Sequence, residues 1–124
     1  MISKDSKILI TGGSGLVGQN LTIHLREQGY TNLKVLIHRR QPRIKFDDVE
    51  YWTGDLMTQN SCLDITSGVD VVFHAAASTS NAVDTVVDPL AHVTPNVAMN
   101  NFLIDAAWRN NVKHYIFISS NTVY

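Results

Sequence analysis

The feature that most constrains this chain is a glycine-rich turn, residues 11–18, which stands between an apolar segment and an amphipathic one. Residues 7–11 form a short and mainly apolar segment, which is typical of a buried strand. In residues 16–28 the apolar side chains recur with the spacing of a helix. A helix N-terminus leaves backbone N–H groups unpaired and carries about half a unit of positive charge. A strand, a glycine turn and a helix in this order therefore predict a site for a phosphate or pyrophosphate group.

The three glycines Gly12, Gly15 and Gly18 have separate expected roles within this turn. Gly12 can make the sharp turn out of the strand, and Gly15 lets a pyrophosphate approach a backbone that carries no Cβ. Gly18 allows the helix to pack closely against the sheet. An ordinary glycine-rich turn would show the same spacing, but the strand before it and the helix after it favour the binding function.

Composition excludes several classes of protein. The chain has 124 residues, a formal net charge of −1 and one cysteine, Cys62. The charge gives no reason to expect nucleic acid or an acidic membrane as a partner, and one cysteine makes neither a disulfide framework nor a thiolate metal site. The N-terminal segment is polar, and the apolar segment after it is too short for a signal peptide or a membrane span. We expect a cytoplasmic protein that binds no metal.

Further strands and helices alternate along the chain, which is typical of a parallel sheet with helical crossovers. Strands are predicted at residues 33–37, 49–53, 69–74 and 114–118, and helices at residues 16–28, 60–66 and 95–110. We expect one helix to bury Val17, Leu21 and Leu25 and another to bury Met99, Leu103 and Ala106, with Thr94 as N-cap of the second. The predicted fold class is α/β, a Rossmann-type doubly wound parallel sheet with strand order 3-2-1-4-5, and its ligand crevice lies where the strand order reverses.

A basic run follows the second strand. An acid at this point would bind the 2′-hydroxyl of an adenosine ribose, whereas an arginine accommodates a 2′-phosphate. The sequence has His38, Arg39 and Arg40, and the first acid after them is Asp47. Because guanidinium groups suit phosphate, NADP is favoured as the cofactor, with Arg39 as the candidate contact and NAD as the alternative. A solvated basic loop is the other interpretation of this run.

Two strand ends offer further candidates. Asp55 follows the third predicted strand, where a carboxylate can accept a hydrogen bond from an adenine amino group. The fourth strand ends at His74 and passes into Ala75, Ala76 and Ala77, and small residues at a strand end indicate close approach of a ligand. His74 could be a catalytic base, but a histidine next to alanines more often packs in the interior.

Taken together, these segments resemble the extended short-chain dehydrogenase/reductase family, in particular its sugar-nucleotide epimerases, dehydratases and reductases. The resemblance covers nearly the whole chain and rests on Thr11–Gly18, Gly54–Leu56, His74–Ala77, Asn96–Val97 and Ser119–Tyr124. It implies cofactor contacts from the turn, the strand ends and a later helix: Gly12, Gly15, Leu16, Val17, Gly18, Asp55, Leu56, Ala75, Ala76, Ala77 and Asn96. It also implies that Ser120 is the catalytic serine.

The chemistry of this family adds a further expectation. Its members use a tyrosinate to move a substrate hydroxyl proton while hydride moves at the nicotinamide, and a lysine one helical turn later lowers the pKa of that tyrosine. This Tyr-x-x-x-Lys pair belongs on the helix after Tyr124. One literal match, Tyr30 and Lys34, spans a helix end and a strand start, and we regard it as a coincidence.

The resemblance therefore predicts that residues 1–124 are the NAD(P)-binding Rossmann domain of a longer enzyme and are inactive alone. The expected activity is hydride transfer at a sugar carbon of a nucleotide sugar, as in an epimerase, dehydratase or reductase. The nucleotide-sugar substrate and a homodimer are the partners that the family implies. A non-catalytic NADP-binding sensor or scaffold module is the alternative, and the sequence downstream of Tyr124 would discriminate between them.

Overall fold

The computed structural model describes residues 2–77, 86–91 and 93–118. Five strands are present in these ranges: β1 (Ile8–Thr11), β2 (Leu33–Ile37), β3 (Glu50–Thr53), β4 (Val71–His74) and β5 (His114–Phe117). Three long helices accompany them: α1 (Leu16–Glu27), α2 (Gln59–Thr66) and α3 (Val93–Arg109). Within the described ranges, no helix is both long and apolar enough to cross a membrane.

The strands form one sheet in the order β3-β2-β1-β4-β5. All four neighbouring pairs are parallel, and β1 pairs with β2 on one side and with β4 on the other. The predicted Rossmann-type order is confirmed. The reversal of strand order lies between β1 and β4, so the carboxyl ends of these strands flank the crevice in which such sheets bind ligands.

Two apolar cores lie on opposite faces of the sheet, since successive side chains of a strand point to opposite sides. Ile8 and Ile10 of β1 join a core that contains Leu25 of α1. Leu9 joins the other core, which contains Cys62 of α2 and Leu103 of α3. Because β1 is covered on both faces, its sequence is a continuous apolar run and does not alternate between apolar and polar residues.

Helix α1 buries only part of the stripe that the sequence predicts, since Leu25 is buried and Leu21 packs against the core but Val17 does not. Its buried residues are Gly18, Thr22 and Leu25, whereas Val17 is 47% exposed. The helix turns its glycine toward the sheet because a small residue allows the closest approach there. The prediction for Val17 is therefore wrong. The predicted face of α3 is confirmed, with Leu103 and Ala106 buried and Met99 packed against them.

The start of α3 also differs from the prediction. The helix begins at Val93, and the backbone N–H groups of Val93 and Thr94 both donate to the carbonyl of Leu90 at 3.2 Å. Thr94 therefore lies inside the first turn and is not the N-cap. Pro95 is accommodated because the N–H groups of a first turn have no intrahelical acceptor.

A buried lysine links the sheet to α2. Lys34 is 3% exposed, and its Nζ donates to the carbonyl of Ile65 at 2.8 Å in the last turn of α2. The ammonium lies 4.0 Å from the centre of the Trp52 ring, and burial lowers the pKa of Lys34. A cation at a helix C-terminus satisfies a carbonyl that has no intrahelical partner, so Lys34 ties β2 to this end of α2.

Candidate functional site

A cleft of about 600 Å³ opens at the carboxyl edge of the sheet. It is lined by the glycine turn, by the residues that follow β2, β3 and β4, and by the start of α3: Gly12, Gly13, Ser14, Gly15, Leu36, His38, Arg39, Arg40, Gly54, Asp55, Leu56, Met57, Ala75, Ala76, Ala77, Pro95 and Met99. The predicted crevice is thus a real cavity. A parallel sheet brings these distant segments together because all its strands end at the same edge.

The glycine turn is packed so closely that side chains are excluded from most of it. Gly12 has φ +70°, and a Cβ there would lie 2.7 Å from the carbonyl carbon of Ala75. A Cβ at Gly18 would lie 2.1 Å from the carbonyl oxygen of Gly12, and one at Gly13 would lie 2.1 Å from Cγ1 of Val35. These three glycines are required by the protein's own packing.

Gly15 differs from the other glycines of the turn. A Cβ there would meet only the carbonyl oxygen of Gly12, at an ordinary contact distance of 3.4 Å, and Gly15 lines the cleft. It also precedes α1 as the N-cap residue, and among the described residues no side chain caps this helix end. Nothing in the described fold requires a glycine at this position, so the open space in front of it is available to a ligand.

The three predicted contact residues that follow Gly15 do not line the cleft. Leu16 is 80% exposed and Val17 is exposed, whereas Gly18 is buried. Their predicted cofactor contacts therefore depend on backbone N–H groups of the first helical turn, which is where an anion binds at a helix N-terminus.

Thr11 joins the ends of β1 and β4. Its hydroxyl oxygen accepts hydrogen bonds from the backbone N–H groups of Ala75 and Ala76, both at 3.1 Å, and lies 2.8 Å from Nδ1 of His74. Thr11 is fully buried, in register with His74 in the β1–β4 pair. The threonine that opens the turn therefore positions the backbone on the opposite wall of the cleft.

His74 is packed in the interior, as the sequence interpretation favours, and does not line the cleft. It is 1% exposed, and its Nε2 lies 2.6 Å from Oδ1 of Asn100 on α3. Burial lowers the pKa of His74, and the hydrogen bond to Asn100 opposes that effect in part. The lowered pKa favours the neutral imidazole, which is too deeply buried to act as a base on a substrate in the cleft.

The basic segment after β2 borders the cleft and is tied to the glycine turn. Arg40 donates from its guanidinium to the carbonyl of Ser14 at 3.1 Å, and the Ser14 hydroxyl donates back to the carbonyl of Arg40. The side chain of Gln19 links the two regions further, since it donates to the carbonyl of Ser14 and accepts from the backbone N–H of Arg43, both at 2.8 Å. Arg39 is exposed and lines the cleft beside Arg40.

Asp55 and Leu56 form the wall of the cleft after β3. One carboxylate oxygen of Asp55 accepts a hydrogen bond from the backbone N–H of Met57 at 2.8 Å, which fixes the local turn that follows β3. Asp55 is exposed, so its second oxygen can accept a further hydrogen bond. Leu56 is 4% exposed and belongs to the core that also contains Leu36, so the two leucines give this part of the cleft an apolar floor.

Most predicted site residues meet in the cleft, but not all. Gly12, Gly15, Arg39, Asp55, Leu56 and Ala75–Ala77 line it together. Asn96 is half-buried on α3 and is not among the lining residues, although its neighbour Pro95 is. Ser120, the predicted catalytic serine, lies outside the described residues.

Several lining residues were not predicted. The helical pattern predicts Met99 as a core residue alone, but it packs against the core and also lines the cleft. The helical period identifies the face of α3 that Met99 occupies but not how far along the helix the sheet ends. Gly13, which lines the cleft, and Thr11, which is buried but positions its wall, could have been found from the turn itself, since a residue at a crowded strand end must be small or must satisfy backbone groups.

The donor set of the cleft fits a dinucleotide. An uncapped helix N-terminus suits a pyrophosphate, guanidinium groups suit a phosphate, and an apolar floor beside a carboxylate suits an adenine ring. Within the described part of the chain, no group of three or more His, Cys, Asp or Glu side chains could hold a metal ion.

Comparison with known proteins gives consistent matches. UDP-glucose 4-epimerase of Dictyostelium discoideum is 28% identical over 130 residues, which cover 97% of this chain and 38% of that protein. A 3 beta-hydroxysteroid dehydrogenase/Delta 5-->4-isomerase of Mycobacterium tuberculosis is 30% identical over 130 residues, which cover 94% of this chain and 32% of that protein. The solved structure of MoeE5 in complex with UDP-glucose and NAD superposes with a TM-score of 0.76 at 25% identity, over 96% of this chain and 38% of that one.

The chain thus spans well under half the length of these relatives. A match to the family described as NAD dependent epimerase/dehydratase extends over residues 8–124, which include every strand of the sheet. The relatives are named as epimerases, dehydrogenases and synthases, so the similarity is to enzymes of the oxidoreductase type. This chain belongs to the NAD dependent epimerase/dehydratase family.

Proposed function

We propose that residues 1–124 are the cofactor-binding part of an NAD(P)-dependent enzyme that transfers hydride at a sugar carbon of a nucleotide sugar. The observation that carries the proposal is the single cleft that joins the glycine turn, the basic segment and the ends of β3 and β4. Two similar proteins support the substrate class, since one is named a UDP-glucose 4-epimerase and the other was solved with UDP-glucose and NAD.

The glycine turn would hold the pyrophosphate of the dinucleotide. Gly15 lines the cleft and has open space in front of it, and the uncapped start of α1 offers backbone N–H groups and a positive dipole end. Gly12, Gly18 and the first-turn residues Leu16 and Val17 shape this part of the site through their backbone. The opposite wall would be the Ala75–Ala77 backbone, which Thr11 positions.

The basic segment supports NADP as the cofactor, with NAD as the alternative. Arg39 and Arg40 both line the cleft, but the guanidinium of Arg40 already donates to Ser14. Arg39 is therefore the proposed contact to a 2′-phosphate, and Arg40 braces the segment. Asp55 would accept a hydrogen bond from the adenine amino group with the oxygen that does not face Met57.

When bound, the nicotinamide supplies a hydride donor or acceptor, and the protein must move a proton at the substrate oxygen. Ser120 is the proposed residue of this chain that would hydrogen-bond that oxygen, and Asn96 is proposed to contact or position the cofactor. The proton-transferring tyrosine and its lysine would come from sequence after Tyr124, so this part of the enzyme is expected to show no turnover alone.

The cofactor proposal predicts a preference that a charge reversal should invert. The full-length protein should bind NADPH at least about tenfold more tightly than NADH, because a guanidinium–phosphate hydrogen bond is charge-assisted. Arg39→Asp should reverse the order, and Arg109→Asp is the matched control because it makes the same charge change on α3, away from the cleft. Calorimetric titration would measure both affinities, and equal affinities in the wild type would contradict the argument from charge.

The catalytic proposal has its own test. Ser120→Ala in the full-length protein should reduce kcat on the order of a hundredfold through loss of a positioned acid–base partner. Dinucleotide affinity should stay within about twofold of the wild type, because the serine acts on the substrate oxygen. Cofactor binding without turnover on any nucleotide sugar would favour the sensor or scaffold alternative, and an unchanged rate would refute the role of Ser120.

A further inference from the structure

Three polar side chains form a continuous hydrogen-bonded chain beside the cleft. Thr11 at the end of β1 contacts His74 at the end of β4, and His74 contacts Asn100 on α3. The distances are 2.8 Å from the Thr11 oxygen to Nδ1 and 2.6 Å from Nε2 to Oδ1 of Asn100. Thr11 and His74 are buried, so each of their polar atoms depends on these partners rather than on water.

Counting hydrogens fixes the direction of every bond in this chain. A threonine hydroxyl has one hydrogen and two lone pairs. The backbone N–H groups of Ala75 and Ala76 both donate to the Thr11 oxygen at 3.1 Å, which uses both lone pairs. The hydroxyl hydrogen must therefore go to Nδ1 of His74. The imidazole then carries its hydrogen on Nε2 and donates it to Asn100.

The backbone held by this chain is one wall of the proposed dinucleotide site. Ala75 and Ala76 line the cleft, and the Ala75 carbonyl lies so close to Gly12 that a Cβ there would be 2.7 Å away. A small displacement of this wall would therefore change the width of the cleft directly beside the glycine turn.

We propose that His74 is a positioning residue for dinucleotide binding: in its neutral form with hydrogen on Nε2 it orients the Thr11 hydroxyl to hold Ala75 and Ala76, and protonation at Nδ1 disrupts this arrangement and weakens binding. The proposal rests on the proposed NAD(P) site. A proton on Nδ1 replaces an acceptor by a donor. The Thr11 oxygen cannot then accept from Nδ1 and from both alanine amides, and its own hydrogen has no partner.

The surroundings of the ring favour the neutral form. The ring centres of Tyr115 and Phe117 on β5 lie 6.4 and 5.7 Å from that of His74. The described hydrogen-bond partners of His74, Thr11 on β1 and Asn100 on α3, carry no charge. Among the described ring contacts only Tyr115 can titrate. Burial raises the pKa of Tyr115 to about 12, so it is uncharged at neutral pH. No described contact therefore supplies a negative charge to stabilise an imidazolium.

The direction of the pH effect follows from the lowered pKa of His74. A histidine whose pKa is lowered in the folded, binding-competent state resists protonation there. Protonation of the free, folded protein therefore begins only below the ordinary histidine pKa of about 6.5, and NADH affinity is lost as the pH falls through the lowered pKa of His74.

The first experiment measures NADH affinity of the full-length protein from about pH 5 to pH 8. NADH is the probe because it lacks the 2′-phosphate, whose own ionisation at about pH 6 would confuse the profile. Wild-type affinity should fall on acidification. His74→Asn, which keeps an acceptor close to the Nδ1 position but does not titrate, should retain affinity at neutral pH and lose this part of the acid dependence.

Substitutions of the partners separate positioning from a general effect on folding. Thr11→Val should lower NADH affinity about tenfold at neutral pH, and Thr11→Ser should restore it. Asn100→Asp places a carboxylate against Nε2 and should move the acid loss upward by about one pH unit or more. Asn101→Asp is its control, because Asn101 is exposed one residue further along α3.

Imidazole nitrogen chemical shifts in the wild type test the tautomer without any substitution, so the proposal is decided even if a variant fails to fold. A hydrogen on Nδ1 at neutral pH would overturn it. So would an acid profile that is unchanged in His74→Asn, or an Asn100→Asp shift no larger than that of Asn101→Asp. If the wild type binds neither dinucleotide, the proposed function fails instead, which the same titration reports separately.

Discussion

The glycine turn after β1 and the basic segment after β2, residues 38–45, border the same cleft but are constrained in different ways. Side chains at Gly12, Gly13 or Gly18 would collide with other parts of the protein. The side chains of His38, Arg39 and Arg40 are exposed, and their described contacts with the turn are a few hydrogen bonds. The turn is specified by packing, whereas no described packing contact fixes the residue types at these three positions of the basic segment, and the proposed role of the segment is to meet a ligand.

Substitution of Gly18 should give the largest effect. The added methyl group of Gly18→Ala would lie 2.1 Å from the backbone oxygen of Gly12, which has no flexible end that could move aside. We expect the free energy of unfolding to fall by about 3 kcal/mol or more in the full-length protein. Urea denaturation would measure it, with Glu27→Ala on the exposed end of α1 as the control. A stable Gly18→Ala protein would show that the turn is less tightly packed than the structure indicates.

Gly15→Ala tests whether one position of the turn belongs to the ligand rather than to the fold. Its methyl group would have an ordinary contact of 3.4 Å, so stability should change by less than about 0.5 kcal/mol. Dinucleotide affinity should fall roughly ten- to a hundredfold, because the methyl group occupies space that the pyrophosphate needs. Loss of stability with unchanged affinity would mean that Gly15 serves packing as its neighbours do.

Arg40→Ala should give the smallest effect and sharpen the distinction within the basic segment. Arg40 is exposed and donates to the carbonyl of Ser14, so its removal loosens the segment without removing the proposed phosphate contact. Affinity for NADPH and NADH should fall equally, by about threefold, as for one exposed hydrogen bond. Arg39→Ala should reduce NADPH affinity alone, and an identical pattern in the two variants would contradict the division of roles.

Much of this fold follows from local sequence patterns. The apolar run before Gly12 and the alternation of strands and helices predict the parallel sheet and its order, because β-branched and apolar runs of this length have few other stable arrangements. The same patterns fail at element ends. Val17 fits an apolar helical stripe but is exposed, and Thr94 has the side chain of an N-cap but lies inside the helix.

The candidate site likewise has one part that the sequence predicts and another that it does not. The residues at strand ends, such as Gly12, Asp55 and Ala75, could be predicted to meet because parallel strands end at one edge. The role of Arg40 could not, since its bond to Ser14 depends on how the segment after β2 folds back over α1. Lys34 is a similar case, because a lysine in a strand gives no local indication that its ammonium reaches the last turn of α2.

The sequence by itself determined which segments are strands and helices, where the glycine turn lies and which charges follow β2, because these depend on residue type and spacing along the chain. Only the tertiary structure decided that Thr11, His74 and Asn100 form one hydrogen-bonded chain, and that three of the turn's four glycines are required by packing while Gly15 is not. The hydrogen-bonded chain depends on distances between groups that are far apart in the sequence, such as the Thr11 hydroxyl and the backbone N–H of Ala75 at a separation of 64 residues. Such distances are set when the sheet assembles and the helices pack against it.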